Sequence, residues 1–240
     1  MVAYKKVLLK ISGEALKGEQ DCDIFESETL KKMALMIKKI YDQGVDVGIV
    51  IGAGNIWRGR VAKDFDLDRI NADYMGMVAT IINALVLKDV LKRDGLDCLA
   101  LSALGIDGVI DAYDEKKAKE AFDNHRVVIF GGGTGKPLLS TDTAAALRAK
   151  EIGAEIILAA KNGVDGVYDS DPLVNKNAKF LKHVTYEDYF RLNLKALDAE
   201  AIKICEENEI IVQVFNGNDL ENVNRVINGF DIGTKIGKEK

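Results

Sequence analysis

Short runs of apolar, largely β-branched residues recur along the chain with amphipathic stretches between several of them, and this alternation restricts the fold more than any other feature. The runs are Val7 to Ile11, Val45 to Ile51, Val127 to Phe130, Ile156 to Ala160 and Ile210 to Phe215. The stretches Ser27 to Gln43, Asp73 to Arg93, Glu115 to Asn124, Ser140 to Ile152 and Leu197 to Asn208 place apolar residues near the helical period of about 3.6. Strands that are apolar on both faces need cover on both, so the expected architecture is α/β: an α/β/α sandwich around a central, mostly parallel sheet. The helix from Asp73 is apolar around much of its circumference, through Met75, Met77, Val78, Ile81, Ile82, Leu85 and Val86. That pattern fits burial on two sides, either inside a core or between the sheet and a partner subunit.

With 240 residues, two prolines and no repeat, low-complexity tract or linker, the chain reads as one domain over residues 1–240. Its 48% hydrophobic and 30% charged residues exclude a disordered or collagen-like chain. The longest charge-free stretch, Tyr74 to Leu87, falls short of the roughly 20 apolar residues of a membrane span, and the N-terminus has no apolar segment of signal-peptide type, so a cytoplasmic protein with no membrane partner is expected. Cys22, Cys98 and Cys205 form no paired motif, and with His125 and His183 as the two histidines no metal-ligand spacing can be drawn. A net charge of −5 argues against nucleic acid as a partner. So few histidines favour chemistry done by positioning and electrostatics over histidine acid–base catalysis.

Glycines gather just after the expected strands, at Gly13, at Gly52 and Gly54, at Gly131, Gly132, Gly133 and Gly135, and at Gly163 and Gly166. In an open α/β sheet ligands lie beyond the carboxyl ends of the strands, so these turns should meet at one rim. Glycine lets backbone N–H groups approach an anion closely, and a helix N-terminus behind the turn adds a favourable partial charge. Several such turns at one rim point to phosphates. Before Gly135-Lys136, the P-loop pattern would need glycine where Phe130 stands and Ser or Thr where Pro137 stands. A dinucleotide fingerprint fails too, because Lys136 and Trp57 occupy the third glycine positions, which disfavours a dehydrogenase. The cations best placed for phosphate are Lys10, at the end of the first strand in Lys10-Ile11-Ser12-Gly13, and Arg58 in Gly52-Ala53-Gly54-Asn55-Ile56-Trp57-Arg58.

Five segments together resemble the UMP-phosphorylating branch of the amino acid kinase superfamily, over nearly the whole chain. They are Leu9 to Leu16, Val50 to Gly59, Ala72 to Thr80, Gly133 to Asp142 and Lys161 to Pro172. The first and last are shared loosely across the superfamily, and the middle three belong to this branch. The resemblance implies phosphoryl transfer from Mg-ATP to UMP, with the N-terminal half supplying the acceptor and phosphate side and the C-terminal half the ATP side. It implies that ATP is held by Lys10, Ile11, Ser12, Gly13, Gly54, Arg58, Asn162, Tyr168 and Asp171. UMP falls to Ala53, Asp73 and the segment Thr134, Gly135, Lys136, Pro137, Leu138, Leu139, Ser140 and Thr141. Lys10, Arg58, Asp142 and Asp198 become the candidate catalytic residues, and Mg²⁺ arrives with ATP. Feedback by UTP at the acceptor site and a homohexamer built from dimers are further implications.

Several of these residues also have plain structural roles open to them. Asp73 can accept hydrogen bonds from both hydroxyls of a ribose, or it can cap the helix behind it. Asp142 and Asp198 are helix-start acids that suit a helix dipole. Thr134, Ser140 and Thr141 can be phosphate or base contacts or ordinary caps, and Asp169 to Lys182 reads as a lid or as a surface loop. Ala53 stands where many relatives have glycine, tolerable if its φ is negative. Gly18 to Asp23 replaces a Gly-Phe-Gly-containing stretch tied in the family to activation by GTP, so the sequence leaves open whether GTP activates. Two alternatives stay open on sequence: a related kinase with a carboxylate or carbamate acceptor, and a nucleotide sensor without turnover.

Overall fold

The computed structural model describes residues 2–17, 23–172 and 174–238. In chain order the elements of the first half are β1 (Lys6–Ile11), α1 (Ser27–Tyr41), β2 (Asp46–Ile51), α2 (Gly59–Asp64), α3 (Arg69–Arg93), β3 (Cys98–Ser102), β4 (Asp111–Ala112), α4 (Glu115–Asp123) and β5 (Val127–Gly131). The second half holds α5 (Thr141–Ile152), β6 (Ile156–Lys161), β7 (Val167–Tyr168), β8 (Phe180–Leu181), β9 (His183–Thr185), α6 (Tyr186–Arg191), α7 (Ala199–Glu207), β10 (Ile211–Asn216), α8 (Glu221–Ile227) and β11 (Thr234–Gly237). All five expected strands and all five expected helices form. The helix expected from Asp73 starts four residues earlier, because Asp68 is the residue that caps it, accepting from Asn71 N–H at 2.9 Å.

Among the described residues one nine-stranded sheet runs in the order β4-β3-β5-β2-β1-β6-β10-β11-β9, and only the β10–β11 pairing is antiparallel. Along β1, Val7, Leu9 and Ile11 point into a core shared with α1, α3 and α8, while Leu8 points into a second core with α4, α5, α6 and α7. Strand alternation thus divides the buried side chains between two apolar layers, each fully buried Leu or Ile contributing about 1.5–3 kcal/mol relative to exposure. This is the expected three-layer sandwich.

Two features position the site. Strands β2, β5, β3 and β4 lie to one side of β1 and β6, β10, β11 and β9 to the other, so the strand order reverses at the boundary between the parallel neighbours β1 and β6, where open α/β sheets take their ligands. The second is α3, whose 25 residues make it long and apolar enough by length and composition to cross a membrane, contrary to the expectation from the charge-free stretch. In this fold, 44% of its apolar window is buried, and Ile81, Ala84, Leu87 and Leu91 pack into the first core. On the opposite face Tyr74, Met75, Val78 and Ile82 are exposed.

Candidate active site

Lys10 and Ala159 are register partners on neighbouring strands, so Lys161, two residues on, emerges on the same face as Lys10. That face carries α5 and α7. At the start of α5, Ser140 accepts from the N–H groups of Asp142 at 3.0 Å and Thr143 at 3.2 Å, satisfying two otherwise unpaired donors. The cap fixes Asp142 so that its carboxylate meets Lys10 Nζ at 2.7 Å, with both side chains largely buried. Asp198 occupies the cap position of α7 yet makes no capping bond; its carboxylate instead accepts from Ser140 Oγ. The turn before Asp198 is held by Tyr189, whose hydroxyl donates to Leu197 O and accepts from Leu197 N–H, each at 2.7 Å. Burial, despite the Leu197 bond and aided by the Asp142 and Asp198 charges, pushes this phenol up to about 12.

Lys161 is a member of this cluster that sequence reasoning passed over. Its pKa lies below the ordinary value, first through burial and then through the Lys10 cation, with Asp142 and Asp198 opposing both. Two ammonium groups and two carboxylates therefore converge where β1 and β6 end. The signal was in the strand alternation: Ile157 and Ala159 point into the second core, and Lys161 continues that series.

Next to this cluster lies a cavity of about 890 Å³ whose lining includes Ala53, Asp73, Thr134, Leu139, Ser140 and Thr141. Gly135, Lys136, Pro137 and Leu138 do not line it. Leu138 adopts a left-handed φ of 67° and donates its N–H to Asp73 Oδ2 at 2.8 Å, tying the segment to α3. Asp73 also meets Arg69 at 3.0 Å. It lies inside α3, so the capping role open to it on sequence is overturned. Thr134 Oγ1 bonds locally with both backbone groups of Lys136. Trp57, Arg60, Lys63, Arg69 and Met77 also line the cavity and were not singled out from sequence. Ala53 does not adopt a positive φ, so a methyl group is tolerated there.

On the other side, Gly13 packs so closely that an added Cβ would lie 2.6 Å from Asn55 Oδ1, Gly52 O and Gly54 N. Arg58 is at this junction, its Nε donating to Gly54 O at 3.1 Å and its guanidinium pairing with Glu14 at 2.9 Å. Asn162 is exposed in the turn after β6, and Tyr168 on β7 packs edge-on against Phe180 with ring centroids 5.5 Å apart. Asp171 O accepts from the N–H groups of Val174 and Asn175. These three lie outside the lining of the cavity, as do Lys10, Ile11, Ser12, Gly13, Gly54 and Arg58. Asp169 to Lys182 includes the β7–β8 hairpin arm, closed by the Asp169 carboxylate on Lys179 N–H at 2.9 Å. That bond is the main cause of the lowered Asp169 pKa. The sequence departure at Gly18 to Asp23 falls almost wholly outside the described residues.

Such a rim, with glycine turns and paired cations where the strand order of an α/β sheet reverses, has the chemistry to hold phosphates. The sequence profile of the amino acid kinase family matches residues 5–216, and the chain belongs to that family. Within it, the chain is similar to two solved UMP kinases. That of Ureaplasma parvum is 40% identical, with 98% of this chain and 99% of that chain covered and a TM-score of 0.92. For that of Bacillus anthracis the identity is 38%, the coverage 99% and 97% and the TM-score 0.95. The uridylate kinase of Archaeoglobus fulgidus is 28% identical over 96% of this chain and 99% of that one, with a TM-score of 0.76.

Proposed function

We propose that this chain transfers the γ-phosphoryl group of ATP to UMP, giving ADP and UDP. The observation that carries this reading is the Lys10, Lys161, Asp142 and Asp198 cluster beside a cavity bearing Asp73, in a chain similar along its length to UMP kinases. The reaction breaks the bond from the γ-phosphorus to the β–γ bridging oxygen and forms one to a UMP phosphate oxygen. With a second pKa of about 6, that oxygen is already largely ionised at neutral pH, so no general base is required. The protein's task is to hold two anions in line and to offset the charge spread over the transferring group.

Lys10 and Lys161 supply the offsetting charge, while Asp142 and Asp198 hold the cations in place. Ile11, Ser12, Gly13, Gly54 and Arg58 form the phosphate side of the ATP site, and Asn162, Tyr168 and Asp171 its base and ribose side. Ala53, Asp73 and the segment Thr134 to Thr141 take UMP, with Asp73 facing the ribose. Mg²⁺ would come with ATP, and Asp142 and Asp198 are the carboxylates of this cluster that would help to hold it. When bound, the ion adds neutralising charge to the phosphates.

The wider reading is of a cytoplasmic enzyme of pyrimidine nucleotide biosynthesis, one domain over 1–240, with the acceptor and phosphate side in its N-terminal half and ATP in its C-terminal half. Feedback by UTP would use the uracil and ribose contacts of the acceptor cavity. The exposed stripe of Tyr74, Met75, Val78 and Ile82, with Ile56 and Trp57 beside it, supports a second copy packing on α3 within a homohexamer, which light scattering of the purified protein tests. For the reaction, the test is ADP release from Mg-ATP with UMP, CMP, glutamate, aspartate or carbamate. Turnover with UMP alone is expected. A carboxylate or carbamate acceptor would overturn the acceptor half, and ATP binding without turnover would leave a nucleotide sensor.

A further inference from the structure

Beneath the cavity, Asn55 and Asn83 form a closed pair. Asn83, fully buried in α3, donates to Asn55 Oδ1 at 2.8 Å and receives from Asn55 Nδ2 at 2.9 Å. The remaining N–H of Asn83 goes to Gly52 O at 2.8 Å, and that of Asn55 to Ile24 O at 3.1 Å. All four amide hydrogens are used, in a buried site. Gly13, in the turn that follows Lys10, leaves no room for a Cβ against Asn55 Oδ1, so the same amide also sets how closely the Lys10 turn approaches the Gly52 loop.

The pair belongs to a larger pattern on α3. Asp73 accepts from Leu138 N–H at 2.8 Å, Thr80 Oγ1 from Gly132 N–H at 2.8 Å, and Asn83 donates to Gly52 O. At about 100° per residue these three side chains fall within about 80° of one another, on the face opposite the exposed apolar stripe. At about 1.5 Å per residue they span roughly 15 Å of the helix axis. One rigid helix thus grips, in order, the segment expected to contact UMP, the glycine turn after β5, and the loop expected to contact ATP.

We infer that Asn55 and Asn83 are positioning residues for phosphoryl transfer, fixing the Gly52–Arg58 loop and the Lys10 turn against the helix that carries the acceptor site. The inference rests on the proposed reaction but concerns residues that touch neither nucleotide. Removing Asn83 alone strands the Asn55 amide and Gly52 O in a buried site, whereas replacing both asparagines removes both amides and leaves only the Gly52 and Ile24 carbonyls short of a donor.

The test compares wild type, Asn83→Leu and the double variant Asn55→Leu/Asn83→Leu in melting temperature, kcat, and calorimetric binding of UMP and a non-hydrolysable ATP analogue. The single variant is expected to melt lower and the double variant to recover part of that loss. Both should lose about tenfold to hundredfold in kcat, while the Kd of each nucleotide stays within threefold. A folded double variant with kcat within twofold of wild type would overturn the inference. So would a loss of kcat matched by an equal loss of nucleotide affinity. A wild type that neither binds nor phosphorylates UMP would instead remove the proposed function, so the two failures are distinguishable.

Discussion

Lys161→Met separates activity from stability at the point where the two strands meet. The ammonium ends β6 beside Lys10, and its pKa sits below the ordinary 10.5 because burial and the neighbouring cation outweigh Asp142 and Asp198. A lowered lysine pKa means that the folded site disfavours the charge, at about 1.4 kcal/mol per unit. Methionine keeps the apolar stem and drops the charge. At pH 7 the variant should therefore equal wild type or exceed it by up to about 1 kcal/mol, where each kcal/mol moves the melting point of a chain this size about 2–4 °C. Turnover should fall by about 2–4 kcal/mol of transition-state stabilisation, roughly 30- to 1,000-fold. The pH dependence has a fixed sign. Between the folded pKa and 10.5 the unfolded chain holds the extra proton, so wild-type stability gains from this group as pH rises through that window, and the variant lacks the gain. Melting curves at pH 7 and pH 10, with ADP release measured at pH 7, check both parts. A variant that melts several degrees lower at pH 7, or that keeps kcat within threefold, would refute the reasoning.

Lys10→Ala and Arg58→Ala should each cost about 2–4 kcal/mol in kcat/KM while remaining folded, the Arg58–Glu14 pair being exposed and worth at most about 1 kcal/mol to stability; near-native kinetics for either would defeat its assignment. Asp73→Asn keeps an acceptor for Leu138 N–H but weakens the contact to ribose hydroxyls, so KM for UMP should rise roughly tenfold with KM for ATP unchanged, as steady-state kinetics with each substrate varied will reveal. Gly13→Ala forces a methyl group to within 2.6 Å of Asn55 Oδ1, Gly52 O and Gly54 N, and a lowered melting point with loss of turnover is expected from calorimetry and the same assay.

The α/β/α plan was legible in the sequence because the central strands carry the apolar, β-branched runs that only a sheet buried on both faces demands. What was not legible lies at the edges. β3, Cys-Leu-Ala-Leu-Ser, has no β-branched residue, and β4, β7, β8 and β9 are two or three residues long, too short for periodicity to register. α2, α6 and α8 are six or seven residues each and gain their helicity from packing. At the site, Lys10 was identifiable from its place at the end of the first strand and Asp142 and Asp198 through the family resemblance, and the structure brings the three together. Lys161 was not, because its partners come from three other elements and its own strand was read as ending at Ala160. Asn55 and Asn83 were hidden for a similar reason. An asparagine in a glycine-rich loop and another in an apolar helix, 28 residues apart, give no sign that their amides meet.

The arrangement of charge explains how such a site can exist before its substrates arrive. Two ammonium groups at the ends of adjacent parallel strands repel, and burial would drive one of them to lose its proton. Asp142 and Asp198 offset that tendency, and each is placed by the backbone around it: Asp142 by the Ser140 cap of α5, Asp198 by the Tyr189 bond to Leu197. Neither carboxylate is free to wander toward the phosphates it would repel, since one faces Lys10 and the other accepts from Ser140. Substrate is attracted less strongly than by two bare cations. In return both cations stand at fixed positions before reaction; on the proposed reaction they would meet charge that spreads only in the transition state, and a difference of that kind between ground and transition state is what raises kcat.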